Sequence, residues 1–82
     1  MGRIRTGFER TVLLAPDGVA RAAATRAKRP EEAWLLRQPR HVRASYVREV
    51  MRRDSPARAD EIWMLRQPED VREAYVREVL EA

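Results

Sequence analysis

Glu31-Glu32-Ala33-Trp34-Leu35-Leu36-Arg37-Gln38-Pro39-Arg40-His41-Val42-Arg43-Ala44-Ser45-Tyr46-Val47-Arg48-Glu49-Val50-Met51 recurs, 29 residues on, as Asp60-Glu61-Ile62-Trp63-Met64-Leu65-Arg66-Gln67-Pro68-Glu69-Asp70-Val71-Arg72-Glu73-Ala74-Tyr75-Val76-Arg77-Glu78-Val79-Leu80. The two stretches align without a gap and agree at thirteen of twenty-one positions. Self-similarity at a fixed offset marks one supersecondary unit used twice. What that unit is follows from its prolines and its apolar spacing.

Pro30 and Pro56 suit the first position of a helix, where a missing N–H costs nothing, and Ser55 is a good N-cap ahead of Pro56. Each first helix then carries an apolar block, Ala33-Trp34-Leu35-Leu36 and Ile62-Trp63-Met64-Leu65. Pro39 and Pro68 end it, because the residue before a proline is pushed out of the α region. Gln38 and Gln67 are therefore the turn, and second helices are expected near 39–53 and 68–81. Val42, Tyr46 and Val50 repeat at helical spacing with Val47 and Met51 beside them; Val71, Tyr75, Val79, Val76 and Leu80 match them. The expected fold is all-α, as tandem helical hairpins, with a two-repeat domain over 30–82 (30–53 and 55–82). Trp34, Tyr46, Trp63 and Tyr75 are expected in its core.

Residues 1–29 read two ways. Pro16 and Val19 repeat the Pro-x-x-Val of Pro39/Val42 and Pro68/Val71, and Leu13 precedes its proline as Leu36 and Leu65 do, which suggests a degenerate third hairpin. The rival is a short strand or flexible arm from Ile4 to Leu14, with Asp17-Gly18 as a turn.

At 82 residues the chain makes one domain with a thin core, so association is a natural source of extra stability. There is no cysteine and His41 is the only histidine, which excludes disulfides and thiolate metal sites. No cofactor is expected. No glycine-rich phosphate loop is present, and Ser45 and Ser55 have no base nearby in sequence. The chain is expected to be non-catalytic. No apolar run reaches the roughly 18 residues of a membrane span, and Met1-Gly2-Arg3-Ile4-Arg5-Thr6 lacks a secretory core, so the expectation is cytoplasmic. The same six residues fit the loose myristoylation pattern on Gly2. Sixteen arginines against one lysine point to a GC-rich, bacterial type of genome.

Charge divides along the chain. Residues 1–29 carry seven bases and two acids, 30–53 six and three, and 54–82 four and eight, giving +5, +3 and −4, the total of +4. Between copies the core changes are mild, whereas Arg40 becomes Glu69, His41 becomes Asp70 and Ala44 becomes Glu73. Arg37, Arg40, His41 and Arg43 surround a helix N-terminus, which itself attracts anions, and form a candidate site for phosphate or an acidic partner. Glu69, Asp70 and Glu73 are the complementary acidic patch. Arg43 and Arg72 fall in the apolar arc, where an arginine lays its stem on apolar surface and sends its guanidinium to a carbonyl at the end of the preceding helix. Arg48 and Arg77 lie on the outward face as a repeated contact, Arg77 with Glu73 and Glu81 four residues to either side. The function expected is a small interaction or adaptor protein that binds a protein partner and itself, a homodimer favoured by the opposed patches. The alternative is a nucleic-acid-binding regulator that uses the basic N-terminal half.

Overall fold

A computed structural model describes residues 10–52 and 56–81, and within them every regular element is helical. In chain order these are α1 (Arg10–Leu13), α2 (Asp17–Ala24), α3 (Pro30–Leu36), α4 (Arg40–Tyr46), α5 (Pro56–Leu65) and α6 (Glu69–Tyr75). A π-helical segment continues α4 over Val47–Met51 and α6 over Val76–Leu80, at equivalent positions of the two copies. Among the described residues no helix is long and apolar enough to cross a membrane. The Gly2 pattern, the first part of the Ile4–Leu14 arm and the Ser55 cap lie outside the described residues.

Proline writes three of the five inter-helix breaks. Pro16 (φ −59°, ψ 155°), Pro39 (−59°, 157°) and Pro68 (−58°, 157°) share one backbone geometry, each as the N-cap of the helix that follows. This corrects the expected start of the second helices by one residue. The ring fixes φ near its helical value, but the extended ψ keeps each proline outside the helix. Its carbonyl still accepts the first helical bond, from Ala20, Arg43 and Arg72 at 3.0–3.1 Å. Pro30 does begin α3, after Arg29 in the extended conformation that a following proline imposes. In both turns the glutamine amide folds back: Gln38 Nε2 donates to the Trp34 carbonyl and Gln67 Nε2 to that of Trp63, each at 2.9 Å. Each bond gives a second donor to a helix-end carbonyl that also accepts the backbone N–H of Arg37 or Arg66, at 3.2 and 3.1 Å.

Residues 10–24 correct the strand reading. Arg10–Leu13 is helical, and Asp17-Gly18 opens α2 rather than forming a turn. Asp17 belongs in a first turn, where its charge offsets the helix dipole.

The core gathers Leu13, Ala20 and Ala24 with Trp34, Leu35, Leu36, Tyr46, Val47, Val50 and Trp63. α2 packs on α3 and α1 on α4; α3 meets the π segment after α6, and α5 meets the π segment after α4. The last two contacts are one contact with the copies exchanged. The aromatic rings repeat that exchange: Trp34 meets Tyr75 edge-on at 5.0 Å, Trp63 meets Tyr46 edge-on at 5.1 Å, and the two indoles meet each other at 6.4 Å. Each such pair contributes about 0.5–1.5 kcal/mol beyond the area it buries.

Candidate functional site

Around the aromatic centre lies a polar chain. Trp63 Nε1 donates to Ser45 Oγ at 2.9 Å, Ser45 Oγ donates to Glu49 Oε2 at 3.1 Å, and Arg66 pairs with Glu49 Oε1. Exchanging the copies gives Trp34, Ala74, Glu78 and Arg37. Arg37 does pair with Glu78, but Ala74 has no hydroxyl, and the buried Trp34 Nε1 finds no acceptor among the described residues. The Ser45 hydroxyl has no equivalent at Ala74 in the other copy. Its position beside an indole in the fold is what gives it a role.

The four residues of the expected basic corner part company. Arg43 is fully buried. Its Nε donates to the Gln38 carbonyl at 2.9 Å, Nη1 to the carbonyls of Leu13 and Ala15 at 2.9 Å each, and Nη2 to Asp17 Oδ1 at 2.6 Å. The carbonyl at the end of the preceding helix is the expected acceptor. The larger share of its bonds goes to residues 26–30 positions upstream, where it caps the end of α1 and ties α2 in place. Arg43 therefore faces inward, away from any anion in solvent. Arg37 is exposed and paired with Glu78 of the other copy, and Arg40 is exposed with Nε on the Leu14 carbonyl at 2.8 Å. His41 is exposed.

Glu69, Asp70 and Glu73 are exposed, and among the described residues none of them makes an ion pair with the basic corner. Arg48 is exposed and sits 3.9 Å from Glu49. Arg77 is exposed too, but among the described residues it makes no ion pair with Glu73 or Glu81, contrary to the helix pairing expected from spacing. It lines an open groove with those two glutamates, Glu69, Arg72 and Val76.

The two copies also differ in what they bury. Leu36 is 5% exposed and its equivalent Leu65 is 71%; Val47 is 3% and Val76 is 40%. Ile62 and Leu80 are also exposed, whereas Ala33 and Met51 at the equivalent positions are half-buried. Arg72, the counterpart of Arg43, is half-buried, and its side chain has no hydrogen bond or ion pair among the described residues. The cause is placement: α1 and α2 pack on α4 and α3 of the first copy, and no described element does the same for the second. The sequence signal for this is position along the chain, since α1 and α2 precede the first copy directly.

Comparison with known proteins finds no matching family model, no similar curated protein and no similar solved structure.

Proposed function

We propose that the chain is a non-catalytic interaction module of tandem helical hairpins, and that the outer face of its second copy receives a protein partner. The observation that carries this reading is the exposure of Leu65, Val76 and Leu80 where the first copy has buried or half-buried counterparts. Large apolar side chains left exposed among charged neighbours mark a docking surface where they lie together. The repeat architecture draws support from the shared geometry of Pro16, Pro39 and Pro68 and from the paired turn glutamines. Contacts that map onto themselves when the copies are exchanged are those of an isologous interface, so the two copies resemble a two-fold dimer joined in one chain.

Affinity capture from nuclease-treated native lysate, with the full chain and its Leu65→Asp variant, tests the reading. A defined protein should be captured by the first and lost from the second, whose circular dichroism stays helical because Leu65 is exposed. Capture that ignores Leu65→Asp would refute it. Duplex DNA binding that persists at physiological salt would move the function to the basic N-terminal half.

Self-association is a second reading, supported by the exposure of Arg40 and His41 in one copy and of Glu69, Asp70 and Glu73 in the other. It predicts a dimer in light scattering that Arg40→Glu with His41→Asp dissociates and that added salt weakens.

A further inference from the structure

We infer that the bare face of the second copy is a receptor for a helix–proline–helix segment of another protein, with the chemistry that α1 and α2 bring to the first copy. This rests on the reading of the chain as an interaction module and names the partner's chemistry. The first copy supplies the template. There α1 and α2 lie against α4 and α3, Leu13, Ala20 and Ala24 are buried, and the Arg43 guanidinium takes two carbonyls from the end of α1 and the carboxylate of Asp17 at the start of α2. The second copy keeps the same seat. Leu65 and Val76 stand where Leu36 and Val47 stand, and Arg72 stands where Arg43 stands. Only the segment is missing. Arg72 is already half-buried in the groove with its donors unmatched among the described residues, so a ligand that offers helix-end carbonyls and an acid one residue beyond a proline meets a cation already in position.

Two arguments identify the source. Each chain has one α1–α2 segment and two such faces, so a second copy that lends its segment exposes its own Leu36, Val47 and Arg43; the occupant must come from a different protein. The rim then sets its charge. Arg40, Ala44 and Arg52 of the first copy are replaced by Glu69, Glu73 and Glu81 in the second. A segment with basic flanks, as α1–α2 has in Arg10, Arg21 and Arg26, suits the acidic rim better than the basic one it covers now. Charge of this kind fixes orientation and speeds encounter, while the leucine and alanines supply the apolar contact.

The test uses the full chain, isotope-labelled at Leu and Val methyls, and a synthetic peptide of this chain's residues 10–29 as the probe. Saturable shifts are expected at Leu65, Val76 and Leu80, with Leu36 and Val47 unmoved. Binding should weaken about tenfold for the Arg72→Ala chain, and comparably for a peptide carrying Asp17→Lys, as loss of a charged hydrogen bond implies. Circular dichroism of Arg72→Ala should remain that of the parent. No shift at about 1 mM peptide would overturn the inference. So would shifts at Leu36 and Val47 alone, or light scattering that finds a dimer with Leu65 shielded. A silent peptide together with lysate capture that Leu65→Asp still abolishes would remove this inference alone. Capture indifferent to Leu65→Asp would remove the interaction reading beneath it.

Discussion

Trp34 and Trp63 occupy equivalent places, yet among the described residues only Trp63 has an acceptor for its indole N–H, the Ser45 hydroxyl. A buried donor left unmatched costs about 1–3 kcal/mol, and serine in place of alanine in a helix costs at most about 0.7 kcal/mol. The first term is the larger. Ala74→Ser should therefore stabilise the protein by about 0.5–1.5 kcal/mol, since the new hydroxyl can accept from Trp34 and donate to Glu78 as Ser45 does to Glu49. Urea denaturation monitored by tryptophan fluorescence measures this, and a midpoint equal to or below that of the parent would contradict it. The two equivalent arginines give a sharper contrast. Arg43→Ala leaves the Leu13 carbonyl buried and the Ala15 carbonyl half-buried without their donor and removes the tie to the half-exposed Asp17, for about 1–3 kcal/mol. Arg72→Ala removes no bond to a described residue and should cost under about 1 kcal/mol. Near-equal losses in the two variants would mean that Arg72 has partners like those of Arg43.

At the scale of elements, the helices were legible because their signals are local. The prolines, the turn glutamines and the 3.6-residue apolar spacing act within a few residues of themselves, and α3 to α6 fall where those signals put them. Two things were not legible for the same reason. Arg43 has most of its partners in a segment whose own pattern is weak, 26–30 residues upstream, and spacing within its helix says nothing of them. The way the copies meet is equally hidden. An apolar stripe on each copy is compatible with several ways of packing, and only the fold brings the ring of Trp34 against Tyr75 and that of Trp63 against Tyr46. The weak pattern of the N-terminal segment has a removable part. Gly18 is the second residue of α2, and a Cβ there would meet nothing within 4 Å. Gly18→Ala should stabilise by about 0.5–1 kcal/mol, by lowering the entropy of the unfolded chain and raising helix propensity. An unchanged or lower melting temperature would contradict it.

For the whole molecule the arrangement of the copies governs cooperativity. A linear stack of hairpins would be elongated, with each unit touching only its neighbours, and its ends could open separately. Here the principal extents are 28 × 25 × 24 Å and the radius of gyration is 11.7 Å, close to the value of about 12 Å that a single packed domain of this length has. Both tryptophans are 1% exposed and touch each other across the copies. Neither copy can open without stripping the aromatic contacts of the other. Leu13, fully buried in the N-terminal segment, joins the same core. One cooperative transition is therefore expected, with tryptophan fluorescence and far-ultraviolet circular dichroism superimposing across a urea titration. Leu13→Ala should lower the midpoint through a loss of about 2–5 kcal/mol, and it should move both probes together, because the N-terminal cover and the paired copies share one core. Iodide should quench the native fluorescence only weakly. If Leu13→Ala instead separates the probes, with helix lost before the indoles are exposed, the N-terminal segment is a cover that lifts off an independently stable pair of hairpins. The first copy would then expose the same receptor face as the second.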